Sequence, residues 1–100
     1  MDSSDLEKGL ARANTALVTV LYFARLREAL GRDAEELALP SEVSTAGALR
    51  DLLRARGGAW ETELAAAKPV RIAVNQSMAN GNTPIAGGDE IAFFPPVTGG

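Results

Sequence analysis

The stretch LVTVLYF, from Leu17 to Phe23, restricts the possible folds of this chain more than any other segment. It is rich in β-branched and aromatic residues, and apolar side chains occur on both of its alternating faces. A strand of this kind is typical of the centre of a sheet, where little of it contacts solvent. The sequence therefore predicts a central strand around which a chain of 100 residues, the size of one domain, must pack.

The segments after this strand predict a short helix and a second strand. Leu26 and Leu30 lie four residues apart, the spacing of one helical face, and Gly31 is suited to end that helix. The segment DAEELALP then carries two leucines two residues apart and stops at Pro40. We expect it to be a more exposed strand, joined to the first across a wide hairpin-like connection.

The longest helical pattern is TAGALRDLLRARGG, which is capped by Ser44 or Thr45 and stops at Gly57-Gly58. Its apolar residues recur at the spacing of an amphipathic helix, and they are Ala46, Leu49, Leu52 and Leu53. The basic residues away from this stripe are predicted to form a solvated face, and they are Arg50, Arg54 and Arg56. A further short helix is predicted around Trp60, whose ring is expected in core or edge packing.

Two more strands complete the pattern. Apolar residues alternate in PVRIAVNQ, which predicts a strand over residues 69–76. Turn signals follow at Asn80–Asn82 and at Gly87-Gly88, and EIAFF predicts a last strand over Glu90–Phe94. The resulting order is strand, short helix, strand, helix, short helix, strand, turn, strand. This order predicts an α+β roll in which one main helix packs on one face of a mixed sheet.

Composition excludes several classes of function. The chain has no cysteine, which excludes disulfides and thiolate nucleophiles, and no histidine, the commonest general base and metal ligand. Its net charge of −3 disfavours nucleic-acid binding and favours a basic partner surface. No apolar run approaches the roughly 20 residues of a membrane span, and no secretory signal is evident at the N-terminus. We therefore expect a cytoplasmic, non-catalytic domain without bound metal or cofactor.

Both ends of the chain are predicted to lie outside the folded domain, which is expected to span residues 16–94. Residues 1–15 are polar and are expected to form a flexible extension, with a short terminal helix as the alternative. At the other end, Pro95-Pro96 donates no backbone hydrogen bonds, so the last strand must stop before it. Residues 95–100 then form a stiff tail that reaches about 20 Å when extended. Gly99-Gly100 carries no side chains and suits a narrow channel.

Phe94 directly precedes this tail and has two possible roles. In EIAFF, Ile91 and Phe93 share one face of the strand, and Phe94 lies on the other. If the first pair faces the helix, Phe94 points outward, either as a cap on the core edge or as an anchor for a partner protein. Asp89-Glu90 is expected to start the strand and to help a basic partner recognise this end.

A terminal carboxylate on such a tail is a substrate for chemistry done elsewhere. It is ionised at neutral pH and is a poor electrophile, so another enzyme must activate it with ATP before a nucleophile attacks. Three functions remain open from the residues. The chain is a carrier that is loaded with sulfur at Gly100, a ubiquitin-like modifier that joins to lysines, or an interaction module whose glycines have no chemical role.

The segment GDEIAFFPPVTGG, residues 88–100, resembles the C-terminus of the small, sulfur-carrying subunit of molybdopterin synthase. VTVLYFARLREALG, with its Arg27-Glu28 pair, resembles that family's first strand and the turn after it, and IAVNQ resembles a later strand. From the residues alone, Arg27-Glu28 is expected to be a solvated turn or a local ion pair. Residues 1–15 depart from the family, because they are longer than its usual N-terminus.

The resemblance implies a ubiquitin-like β-grasp fold and the sulfur carrier of molybdenum cofactor synthesis. It implies that an ATP-dependent, E1-like enzyme adenylates Gly100, and that a sulfur donor converts the adenylate to a thiocarboxylate. The tail would then enter the large synthase subunit, where lysines supply the chemistry and sulfur passes to a cyclic pyranopterin precursor. A related thiolation pathway, such as thiamine synthesis, is the alternative. The residues that the resemblance assigns to tail binding are Phe94, Pro95, Pro96, Val97, Thr98 and Gly99.

Overall fold

The computed structural model describes residues 16–96. The predicted extension of residues 1–15 lies outside the described residues, as do Val97, Thr98, Gly99 and Gly100. Between residues 16 and 96 the strands are β1 (Leu17–Tyr22), β2 (Ala34–Ala38), β3 (Arg71–Val74), β4 (Ser77–Ala79) and β5 (Glu90–Phe94). The helices in the same range are α1 (Arg25–Leu30), α2 (Ala46–Arg54) and α3 (Ala59–Glu63).

The strands form a mixed sheet in the order β2-β1-β5-β3-β4. β1 and β5 pair in parallel, and the other neighbours pair antiparallel. The prediction of a central first strand is confirmed, because β1 lies between β2 and β5 and buries Val18, Val20 and Tyr22. The α+β class is confirmed as well, with the first two strands paired around α1.

The main helix α2 packs its apolar stripe against one face of this sheet. Of the two candidate caps, Thr45 is the one that begins the helix, since its Oγ1 accepts a hydrogen bond from the backbone nitrogen of Ala48 at 3.1 Å. Ala46, Leu49 and Leu53 are fully buried, whereas Leu52 is only partly buried. The larger side chains that surround them in the core are Tyr22, Leu26, Leu64, Ile72, Ile85, Ile91 and Phe93.

The strand β4 was not predicted. The sequence pattern continues the preceding strand to residue 76, but β3 ends at Val74 and the chain reverses at Asn75 and Gln76. These two residues have positive φ angles of 50° and 71°, which suits a tight hairpin turn. Glutamine is an uncommon residue for that conformation, so the sequence contains only a weak signal for this turn. The predicted turn at Asn80–Asn82 does exist, after β4.

Arg56 lies two residues after the end of α2 and is exposed, as predicted, but it also anchors the edge strand β2. Both terminal nitrogens of Arg56 donate to the Glu35 carboxylate at 2.8 Å, and the Tyr22 hydroxyl donates to the same group at 2.7 Å. The Arg56 guanidinium also lies 4.4 Å from the centre of the Trp60 ring. Arg32 adds an ion pair with Glu35 at 3.2 Å.

This cluster, formed by Tyr22, Arg32, Glu35, Arg56 and Trp60, shifts the pKa values of its members. Burial, with the hydrogen bond to Glu35, raises the pKa of the Tyr22 phenol far above its ordinary value. Partial burial alone would raise the pKa of the Glu35 carboxyl. The hydrogen bonds from Arg56 and Tyr22, and the nearby positive charges, outweigh burial and hold that pKa below its usual 4.5. Glu35 is therefore a charged anchor between β2 and the helices.

Candidate functional site

The predicted tail leaves from a strand that is held on both sides. β5 pairs with β1 up to the Tyr22–Phe93 pair and with β3 up to the Arg71–Phe94 pair. The backbone nitrogen of Phe23 also donates to the carbonyl oxygen of Phe93 at 3.2 Å. Phe93 is fully buried. Phe94, the last residue before the prolines, is thus held in place by the central strands of the sheet.

Pro95 and Pro96 follow at the point where pairing stops, as predicted from their lack of a backbone N–H. Both are half-buried rather than free of the domain. They line a small cavity of about 140 Å³, here called the proline cavity. Its other lining residues come from α1, α3 and the segment before β3, and are Arg25, Leu26, Glu63, Lys68, Pro69 and Val70. The direction of the chain as it leaves the sheet is therefore set by contacts with the domain.

The sheet face opposite α2 carries a continuous apolar row. Because alternate residues point to opposite faces, burial of Val20 and Tyr22 against α2 places Leu21 on the open face. The strand register then extends a row through Leu21 across all five strands. Its members, in spatial order, are Ala34, Leu21, Ala92, Ala73 and Met78.

Two large side chains on this side are exposed to solvent. Phe23 is 46% exposed and Met78 is 63% exposed, and these are the exposed large hydrophobic residues of the described chain. Phe23 follows the Tyr22–Phe93 pair, so it lies at the same level as Phe94. We name Leu21, Phe23, Ala73, Met78, Ala92 and Phe94 together the apolar face. A patch of this kind, next to the start of the tail, is typical of a protein-binding surface.

Phe23 and Met78 are not among the partner-binding residues that the sequence predicts. The alternation of residues in LVTVLYF is enough to predict on which side of the sheet Phe23 lies. Once Val18, Val20 and Tyr22 are assigned to the core, Phe23 belongs to the open side. The position of Met78 on the open face could not be predicted, because it follows from the pairing of Met78 with Ala73 in β4, a strand that the sequence does not predict.

Charged residues border the apolar face at both ends. Arg71 pairs with Phe94 in the register of β3 and β5, and it is exposed beside the start of the tail. At the other end Thr19 lies between Glu36 and Glu90, which puts two carboxylates in one row. A partner that covers the whole face would meet a cation near the tail and anions away from it.

The comparison with protein families matches residues 20–100 to the model described as the ThiS family. The chain belongs to the ThiS family. It is 43% identical, over 84 residues, to the molybdopterin synthase sulfur carrier subunit from Escherichia coli strain K12. That alignment covers 84% of this chain and 100% of the relative. The resemblance stated from the sequence is thereby confirmed.

Solved structures confirm the ubiquitin-like β-grasp fold of this ThiS-family chain. Small archaeal modifier protein 1 from Haloferax volcanii superimposes with a TM-score of 0.70 at 27% identity, covering 84% of this chain and 99% of that one. A complex of subunits 1 and 2 of molybdopterin-converting factor from Helicobacter pylori matches with a TM-score of 0.56 at 25% identity. It covers 84% of this chain and 99% of the matched chain.

The acidic pair Asp89-Glu90, at the start of β5, has a structural role in this ThiS-family chain. The Asp89 carboxylate accepts hydrogen bonds from the Asn75 side-chain nitrogen at 3.0 Å and from the Ala86 backbone nitrogen at 2.8 Å. Asn75 in turn accepts from the backbone nitrogen of Glu90 at 2.9 Å. Asp89 thus ties the β3–β4 turn to the start of β5. Recognition of a basic partner by this pair stays a prediction.

Other candidate sites are absent from the described part of the chain. Residues 16–96 contain no group of three or more acidic side chains placed to hold a metal ion. No helix within that range is long and apolar enough to cross a membrane. Arg27 and Glu28 are exposed as predicted, but they lie on the helix α1 rather than in a turn. The candidate site of this ThiS-family chain is the apolar face together with the start of the tail.

Proposed function

We propose that this chain is the sulfur carrier subunit of molybdopterin synthase. The observation that carries the proposal is the position of its C-terminal segment: the FFPPVTGG sequence continues the central, doubly paired strand β5 of a β-grasp domain. The full-length match to the Escherichia coli sulfur carrier subunit supports the same function.

The chemistry takes place at the Gly100 carboxylate, in two steps supplied by other proteins. A carboxylate oxygen attacks the α-phosphorus of ATP on an E1-like enzyme, and pyrophosphate leaves. Hydrosulfide delivered by a sulfur donor then attacks the activated carbonyl carbon and loses its proton, and AMP leaves with the oxygen. The product is a thiocarboxylate in which sulfur has replaced one oxygen. ATP serves the activating enzyme and is not a cofactor of this chain.

The apolar face is the surface that holds the chain on its partners. It adjoins Phe94, so a protein docked on it has the tail within reach of its own active site. The fold match to the two-subunit complex from Helicobacter pylori supports a large synthase subunit as one of these partners. In that subunit, lysines assist transfer of sulfur from Gly100 to the pyranopterin precursor, with Val97, Thr98 and Gly99 held in the entry channel. Enclosure there protects the thiocarboxylate from hydrolysis.

Reconstitution tests this function. The purified chain is incubated with ATP, an E1-like activating enzyme and a sulfur source, and its intact mass is measured. We expect the mass increase for replacement of one oxygen by sulfur, located to Gly100 by fragmentation. A matched control carries one alanine after Gly100, which keeps the domain and moves the carboxylate, and we expect it to remain unmodified. Equal sulfur loading of both chains would contradict a specific role for Gly100.

A ubiquitin-like modifier is the second candidate, favoured by the structural match to the archaeal modifier protein. Both functions share the adenylation step and differ in the nucleophile that follows. A modifier would give adducts on lysine side chains of other proteins. After trypsin digestion, mass spectrometry detects each adduct as a branch of residues 72–100, because Arg71 is the last trypsin site of the chain. Such adducts without a thiocarboxylate would replace the carrier proposal.

A further inference from the structure

Arg50 was predicted to belong to the solvated face of α2, and the structure shows that this is wrong. Its guanidinium turns toward the segment that follows α3 and donates to three backbone carbonyl oxygens. Nε contacts the Leu64 oxygen at 2.7 Å, and Nη2 contacts the oxygens of Ala65 and Lys68 at 2.6 Å and 3.1 Å. Partial burial lowers the pKa of this guanidinium.

The carbonyls that Arg50 holds also define two consecutive turns. The backbone nitrogen of Lys68 donates to the Ala65 oxygen at 2.8 Å, which closes a turn of four residues. The backbone nitrogen of Val70 donates to the Lys68 oxygen at 2.8 Å, which closes a γ-turn around Pro69. Arg50 therefore braces both turns at their acceptor atoms.

These turns lead directly to the start of the tail. Lys68, Pro69 and Val70 line the proline cavity together with Pro95 and Pro96. The next residue, Arg71, begins β3 and pairs with Phe94. The position of the γ-turn thus sets one wall against which the two prolines lie as the chain leaves the sheet.

We propose that Arg50 is a positioning residue for the C-terminal tail. By fixing the turns of residues 65–70, it holds the wall of the proline cavity and so sets the direction in which the chain leaves the sheet at Pro95-Pro96. The inference rests on the proposed carrier function, because direction matters only if the tail enters another protein's active site. Small errors in such alignment slow a reaction strongly, even when binding is unchanged.

The guanidinium suits this role better than another cation. Its planar group presents several N–H donors at fixed angles, so one side chain reaches three oxygens from two turns. A lysine ammonium has no such fork, and glutamine has one donor group. Arg54 provides a matched control, since it lies on the same helix and contacts Asp51 at 3.3 Å rather than the turns.

The experiment compares Arg50→Gln, Arg50→Lys and Arg54→Gln in the sulfur-loading reaction, below the unfolding temperature of each variant. For Arg50→Gln we expect kcat to fall about tenfold while KM for the carrier stays within about twofold, because the apolar face that docks is intact. The kcat for Arg50→Lys should lie between that of Arg50→Gln and that of the original chain. Arg54→Gln should retain both constants, although it loses the same charge.

A rise in KM with unchanged kcat, or an equal loss in Arg54→Gln, would overturn the inference. A second measurement keeps the test independent of sulfur loading. The carbon-13 chemical shifts of Pro95 and Pro96 should change in Arg50→Gln and not in Arg54→Gln. If the original chain takes up no sulfur, the carrier function fails while these shifts still decide whether Arg50 positions the prolines. Unchanged proline shifts in Arg50→Gln would refute it.

Discussion

The two faces of the sheet use the same strands for different purposes. On the side of α2, Tyr22, Ile91 and Phe93 are almost completely removed from solvent. On the open side, their immediate neighbours Phe23 and Phe94 remain partly accessible. The difference shows how one alternating pattern divides its residues, with one set stabilising the domain and the other available to a partner.

This division predicts that substitutions one residue apart have effects of different kinds. Changes on the buried side lower the free energy of unfolding and affect function only through loss of folded protein. Changes on the open side leave folding nearly intact and weaken docking.

The substitution Phe93→Ala is expected to give the largest effect on stability. It removes a fully buried aromatic ring from the core and should lower the free energy of unfolding by about 3–5 kcal/mol. Phe94→Ala is the matched control, with the same chemical change one position along, and should cost less than about half as much because its ring is only partly buried. Urea denaturation measures both. Equal losses would show that the two faces do not differ.

The substitutions Phe23→Ser and Met78→Ser test the open side. Met78 is 63% exposed and Phe23 46% exposed. The free energy of unfolding should therefore fall by no more than about 0.5 kcal/mol for Met78→Ser and about 1.5 kcal/mol for Phe23→Ser. Each variant should raise the KM of the activating enzyme for this chain about tenfold and leave kcat unchanged, because interface anchors contribute mainly to binding. Met78→Leu keeps an apolar side chain and serves as the control. An unchanged KM in both serine variants would remove the docking role of the apolar face.

Much of this arrangement could be predicted from the sequence because the signals are local and repeated. β-branched runs, leucine spacing and the proline pair specified β1, α2 and the end of β5 with correct faces. The assignment of Ile91 and Phe93 to the core followed from alternation alone. The final segment indicated the family, since an unusual order of aromatic residues, prolines and glycines is rarely produced by chance.

The parts that could not be predicted depend on contacts between distant residues. Arg50 and Arg56 look alike in a helical pattern, yet one meets carbonyls after α3 and the other meets a carboxylate on β2. Charge patterning along one helix contains no information about such partners. The apolar face was hidden for the same reason, because it emerges only when the strand register aligns Leu21 with Met78.

The smallest expected effect on docking concerns Glu35, which lies on the α2 side of β2 opposite Val20. Its pKa is lower in the folded chain than its usual 4.5, so it stabilises the fold above that pH and loses this contribution as the pH falls through the folded-state value. Glu35→Gln should lower the free energy of unfolding at pH 7 by about 1–1.5 kcal/mol. It should also give a shallower loss of stability between about pH 5 and pH 3.

The difference in the free energy of unfolding between Glu35→Gln and the original chain should therefore shrink as the solution becomes acidic. Urea denaturation at several pH values measures this difference. A constant difference across this range would show that the charge of Glu35 does not contribute. KM for the activating enzyme should be the same for both chains at neutral pH, because the cluster around Glu35 contains no residue of the apolar face. A changed KM would mean that the cluster on the buried side also controls docking, and that the two faces are coupled through β1.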